Sequence, residues 1–157
     1  MALTYEPINQ GVVSSLAAYF EFANIPNTYT DLVLVCDCQY NISGGDLNLR
    51  INGDNASNYS WARIENTASN RANNTTVINT TDATQRGLFI THFMQYKNTA
   101  VNKVVITQCG NVQSNIGLSV GTWRSNSAIT SIQIYDETGG RQWAVGSRFS
   151  LYGIKAA

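Results

Sequence analysis

Apolar and polar residues alternate with a period of two along most of the chain, and no stretch carries the spacing of a convincing amphipathic helix. Leu16, Ala18, Phe20 and Phe22 share one side of such a pattern, with Ala17, Tyr19 and Glu21 on the other. This reads as a strand, or alternatively a short helix, ended by Pro26 and Asn27. Residues 32–38 are apolar on both sides up to Asp37, the mark of a central strand covered on both faces. Leu47, Leu49 and Ile51 alternate with Asp46, Asn48 and Arg50. Asn52-Gly53-Asp54 then offers residues that tolerate positive φ, and 59–64 returns, which predicts a hairpin. The polar tract 66–86, dense in Asn and Thr, predicts a long loop with one short strand near 75–79. Further strands are expected over 88–95, 103–108, 116–123, 129–135 and 148–154, with a turn at Glu137-Thr138-Gly139-Gly140. Eight or so short strands and only two prolines predict an all-β, single-domain, jelly-roll-like β-sandwich. It spans residues 11–157. Residues 1–10 form an N-terminal arm, which either orders against a neighbour or frays.

Composition narrows the chemistry. The 157 residues suit one domain with a core of its own, and no linker or repeat divides them. Lys plus Arg and Asp plus Glu are ten each, and charged residues are 13% of the chain, about half the usual share. Polarity comes instead from 18 Asn, 15 Thr and 13 Ser. A surface of amides and hydroxyls lacks the field that draws phosphate backbones or anionic lipids, so neither nucleic acid nor membrane is an expected partner. It also lacks the mutual repulsion that keeps copies apart. No run of eighteen apolar residues exists to span a bilayer, and residues 1–10 lack the basic and apolar regions of a secretory signal. Cys36 and Cys38 sit two apart with parallel side chains, a poor disulfide geometry, and Cys109 makes the count odd. Buried free thiols in a protein made in a reducing cytoplasm follow.

Candidate chemistry is sparse, and the expectation is a non-enzymatic protein without cofactor, metal or catalytic residues. His92 is the only histidine; it shares a strand face with Ile90 and Met94, and it reads as a hydrogen-bonded imidazole at a core edge or subunit contact. A Ser-His-Asp or Cys-His relay needs more, and no nucleophile elbow is present. Asp136 and Glu137 are adjacent in a turn, where carboxylates are usually solvated, whereas glycosidase chemistry needs two that face each other across a cleft. Cys36 and Cys38 have the wrong spacing for a zinc knuckle. The run 52–55 offers oxygens to calcium but lacks the acidic density and distal Glu of a recognised loop, so it reads as a turn. Gly44-Gly45 and Gly139-Gly140 are turn glycines, not phosphate cradles. Carbohydrate binding is the rival from another class, since Trp61, Trp123 and Trp143 could stack on sugar rings. Trp61 and Trp123 fall on strands, where packing is the commoner fate. Trp143 falls in a loop and is the residue expected to be accessible.

Several segments resemble a family of small β-sandwich proteins and domains found in the virions of tailed bacteriophages. They are Phe22-Ala23-Asn24-Ile25-Pro26-Asn27-Thr28-Tyr29-Thr30-Asp31-Leu32-Val33-Leu34, then Asn48-Leu49-Arg50-Ile51-Asn52-Gly53-Asp54-Asn55-Ala56-Ser57-Asn58-Tyr59-Ser60. The C-terminal pair is Gly121-Thr122-Trp123-Arg124-Ser125-Asn126-Ser127-Ala128-Ile129 and Gly146-Ser147-Arg148-Phe149-Ser150-Leu151-Tyr152-Gly153-Ile154. The resemblance runs from about residue 19 to 154, while 65–86 matches nothing in the family. It implies a virion structural protein, commonly a homotrimer: a capsid decoration (cement) protein, a tail-fibre tip or a baseplate piece. With only about ten residues ahead of the sandwich, the chain looks more like a decoration protein. That role implies contact with the major capsid protein or other virion proteins, at the capsid surface, after synthesis in the host cytoplasm. A tail-fibre or baseplate component binding a host receptor is the alternative within the family.

Overall fold

The computed structural model describes residues 5–66, 68–83, 85–111 and 116–155, with the backbone alone at 81–82. Twelve strands and no helix form among them, arranged as two antiparallel sheets packed face to face, the β-sandwich that the alternation predicts. They are β1 (Tyr5–Val12), β2 (Tyr19–Phe22), β3 (Asp31–Cys38), β4 (Asp46–Ile51), β5 (Tyr59–Glu65) and β6 (Ala68–Thr75). There follow β7 (Ile78–Asp82), β8 (Gly87–Met94), β9 (Lys103–Asn111), β10 (Ile116–Trp123), β11 (Ile132–Tyr135) and β12 (Arg148–Ile154). The large sheet has the order β1-β12-β3-β8-β9-β10-β5-β6, and the small one β2-β11-β4-β7.

Strands distant in sequence pair with one another. β1 pairs with β12, β2 with β11, β3 with β8 and β4 with β7. These eight behave as one long antiparallel ribbon bent across itself, so that alternate rungs fall in opposite sheets. The β9–β10 and β5–β6 pairs extend the large sheet beyond this framework. Inward side chains of both layers form one core, including Phe22, Leu34, Leu49, Phe89, Ile134, Phe149 and Leu151. Phe20 stacks on Phe149 at 4.5 Å across the layers, the offset contact that aromatic rings favour.

Four expectations are corrected. The pattern 47–51 and 59–64 is not a hairpin. Asn52 and Gly53 do take φ of +52° and +65°, but β4 lies between β11 and β7 while β5 lies between β10 and β6, so the turn passes from one sheet to the other. Tyr59 fixes this arch: its hydroxyl accepts from the Ile51 N–H at 3.1 Å, with the Asp54 carbonyl 3.0 Å away as an acceptor. The arm expected at residues 1–10 is, over residues 5–10, part of β1, the edge strand of the large sheet. The tract 66–86 is not a long loop, since it holds both β6 and β7; β6 is an exposed edge, where no apolar residue is needed. The strands expected over 16–22 and 129–135 are shorter, β2 and β11, although Ala17 continues as a bridge to Trp143.

Two close approaches between elements depend on glycine. A Cβ at Gly153 would lie 2.3 Å from the Tyr29 ring, and one at Gly121 would lie 2.4 Å from Ile78. Gly153→Ala should therefore lower the stability measured by urea unfolding, by about 1–3 kcal/mol. Gly140→Ala, with nothing within 4 Å, should stay within about 0.5 kcal/mol of the parent.

Candidate functional site: an uncharged outer sheet face

β10 reads Ile116-Gly117-Leu118-Ser119-Val120-Gly121-Thr122-Trp123. The ordinary rule sends the branched aliphatics of such a strand into the core and the small residues to water. Here the polarity is reversed: Ser119 and Gly121 face inward, while Ile116, Leu118 and Val120 face outward. β7 explains this. It lies close over β10, with Ile78 against Gly121 and the Ser119 hydroxyl donating to the Asn79 carbonyl at 3.0 Å. Only small side chains fit beneath it. The inner positions of the adjoining strands are also partly polar, with the Thr91 and Thr107 hydroxyls 2.9 Å apart and Lys103 buried, its ammonium donating to the Val101 carbonyl at 3.0 Å.

The apolar residues thus line the other face. Register places them in rows across the sheet. One runs Ile64, Leu118, Gln108, Ile90, Val35; the next runs Ala62, Val120, Ile106, His92, Val33. Val104 and Met94 flank the second row, and Leu88 and Ile116 the first. Ile64, Leu88, Met94, Val104, Ile116, Leu118 and Val120 are between 37% and 69% exposed. Across β8, β9, β10 and β5, no Asp, Glu, Lys or Arg faces outward; Lys103, Arg63 and Glu65 all take inward positions. A shallow groove of about 390 Å³ lies on the β5 side, bounded by Ala62, Ile64, Leu118 and Val120, with Ser69 and Arg71 of β6 at its rim.

The outer face of the small sheet is different in kind. Tyr19, Glu21, Arg50, Gln133 and Tyr135 occupy it, with the Arg50 guanidinium 4.5 Å over the Tyr135 ring. Burial pushes the Tyr135 hydroxyl up to about 12. Arg63 reaches the margin of this sheet, 2.9 Å from Asp46. Charge is therefore concentrated away from the apolar face.

The residues singled out in the sequence do not converge. His92 stands half-buried in the middle of the outer apolar face, with Val33 and Ile106 as its register partners. Asp136 is not solvated as expected: it is buried, hydrogen-bonded to the Thr138 hydroxyl and 3.3 Å from Arg141. Glu137 is exposed and accepts from the Thr76 hydroxyl at 2.7 Å. Cys36 and Cys38 are buried free thiols, and burial, reinforced by the hydrogen bond with Cys36, pushes the Cys38 thiol well up. The oxygens of the 52–55 turn serve the chain itself. Asn52 Oδ1 accepts from the N–H groups of Thr130 and Ser131 at 2.7 and 3.0 Å, and Asp54 Oδ2 accepts from the Trp123 indole at 2.7 Å. Trp143, expected to be accessible, is fully buried. It stacks on Tyr40 at 4.2 Å, meets Phe149 edge-on at 5.2 Å and donates its indole N–H to the Ile134 carbonyl at 3.0 Å. Trp123 is buried, and Trp61 is partly buried against the core with Arg63 5.8 Å over its ring. None of the three is a free sugar platform.

No family model, curated protein or solved structure matches this chain.

Two outcomes follow from these contacts. Trp143→Ala should lower stability by about 3–5 kcal/mol, read from the denaturation midpoint, because it empties a large core site and removes the indole's hydrogen bond to the Ile134 carbonyl. The second concerns acid. Burial acts to raise the Asp54 carboxyl, but hydrogen bonds from Trp123, Asn58 and Ala56 outweigh it and hold the group below the usual range. The Arg86 hydrogen bond lowers Asp37 likewise. Both groups favour the folded state when ionised, so their contribution is complete at neutral pH. It is lost as the pH falls below about 4 and the folded carboxylates take up protons. Thermal melts across this range should show a steep acid loss in the parent and a shallower one in Asp54→Asn.

Proposed function

We propose that this protein is a non-enzymatic structural subunit of a tailed-bacteriophage particle, a decoration protein that reinforces the capsid shell as a homotrimer. The observation that carries the reading is the broad apolar face, free of outward charge, on β8, β9, β10 and β5. Soluble monomers seldom leave so much contiguous apolar surface open, and such faces mark association. The sequence motifs resembling virion sandwich proteins supply the biological setting. The fold supports the same reading at a finer level. Numbered without β5, β6, β9 and β10, the framework strands lie 1-8-3-6 in one layer and 2-7-4-5 in the other. We read that order as a jelly roll, the double Greek key used by many shell proteins.

The mechanism is thermodynamic. A subunit that binds the assembled lattice and not the free capsomers stabilises the lattice by mass action. Joining three such subunits lengthens their residence, because all the linked contacts must open together before the unit leaves. The charge-bearing outer face of the small sheet and the loops between sheets then remain for the shell.

Quantitative mass spectrometry of purified virions tests this reading. A copy number on the scale of the capsomers is expected. A few trimers per particle would instead assign the protein to the tail, and its absence from virions would remove the proposal.

A further inference from the structure

We infer that the outer face of β8–β9–β10–β5 is the surface through which copies of this chain bind one another, with the β8 side of each copy seated on the β10–β5 side of the next. The inference rests on the trimeric reading above and adds the place and polarity of the contact.

Area is the first argument. The seven most open aliphatic side chains of this face expose on the order of 600 Å² between them; shared between the two neighbours of a trimer, that is on the order of 300 Å² per contact from these side chains alone, part of the roughly 800 Å² per partner of a standard interface. The patch is about 14 Å wide across four strands and about 20 Å long across four rows of side chains. It is an extended and shallow surface, unlike the concave pocket that encloses a small molecule.

Charge is the second. A face with no outward Asp, Glu, Lys or Arg over four strands can meet an identical face without bringing like charges together. The chain as a whole has equal numbers of acidic and basic residues, so long-range repulsion between copies is also absent. The cation that borders this face is Arg71 of β6, the register partner of Ala62 at the groove rim.

Symmetry sets the polarity. Around a threefold axis that runs along the strands, the β8 side of each face, with Leu88 and Met94 at its two ends, necessarily meets the β10–β5 side of the next, where the groove of about 390 Å³ lies among Ala62, Ile64, Leu118 and Val120. The contact is head-to-tail, and three copies close it into a ring. Three sheets so arranged turn their apolar faces toward the axis and away from water. His92 and Ile106, at the middle of the face, then lie inside the assembly.

A second copy is also the partner present at synthesis. An apolar face kept open until a finished shell appeared would aggregate first, so it has to be covered early.

Sedimentation velocity and light scattering of the parent protein at micromolar concentration test the inference, together with Leu118→Asp and Ile64→Lys. Both substitutions place charge at outward strand positions and should leave the circular-dichroism spectrum unchanged. Gln133→Asp, on the outer face of the small sheet, serves as the control. The expected result is a trimeric parent and control, with both face variants monomeric or weakened at least 100-fold in association. Should either face variant fail to fold, Leu118→Asn, a milder polar change, replaces it in the same assay. A trimeric parent whose folded face variants remain trimeric would overturn this surface while leaving the trimer reading intact. A dimeric parent would overturn the head-to-tail polarity. A monomeric parent whose shell binding is abolished by Leu118→Asp would overturn self-association and assign the face to the shell. Virion copy number, measured independently, bears on the decoration role alone.

Discussion

The contact between Ile78 and the backbone at Gly121 sets the character of this molecule. It draws β7 down onto β10 so closely that the part of the inner face of β10 ahead of Trp123 has room only for Gly117, Ser119 and Gly121. Because side chains alternate, the same register turns Ile116, Leu118 and Val120 outward. Their neighbours on β9, β8 and β5 continue the surface. One steric demand inside the sandwich thus generates an apolar exterior on its far side. Filling the space at residue 121 would push β7 away and unsettle both.

The alternation made the class of fold legible, and the sequence located ten of the strands in whole or in part. What it could not supply was partnership. The turn Asn52-Gly53-Asp54 has the residues of a hairpin, and it does reverse the chain. Yet whether the return strand pairs with its predecessor or joins the other layer depends on β10 and β11, some seventy residues away. β6 escaped notice for a different reason: an edge strand open to solvent on both sides needs no apolar period, and Ala68–Thr75 has none. Trp143 misled because a short loop flanked by Gly140 and Gly146 resembles a surface excursion. Its ring instead closes the core between Tyr40 and Phe149. The apolar face was the least legible feature, since a run such as Ile-Gly-Leu-Ser-Val-Gly gives no sign of which half is inside. The glycines on one side were the available signal, marking a place where another backbone comes near.

Electrostatics divides the surface in two. The small sheet and its margins carry Glu21, Arg50, Asp46 and Arg63, while the eight-stranded layer turns an uncharged centre outward, with Arg71 on the edge strand β6 and charges at the ends of β3 and β12. There Asp37 is held by Arg86 at 2.7 Å. A protein with few charges has placed them where they leave the centre of that face free. The inner polar groups of that same layer, Thr91 with Thr107 and Lys103 with its carbonyls, are satisfied locally. The layer therefore tolerates an inverted pattern without orphaned donors beneath it.

The pairing of β1 with β12 also governs how the protein comes into being. β12 inserts between β1 and β3, strands separated from it by more than a hundred residues, and Gly153 must fit against Tyr29 as it does so. Partners this remote in sequence meet slowly, because a long loop has to close before any contact rewards it. While the ribosome still holds β12, the nascent chain has β3 with one neighbour missing and β8–β10 already able to zip together locally. The β8–β10 layer, built from neighbours in sequence, needs no such long loop, so the two halves of the large sheet differ in how far the chain must search to form them.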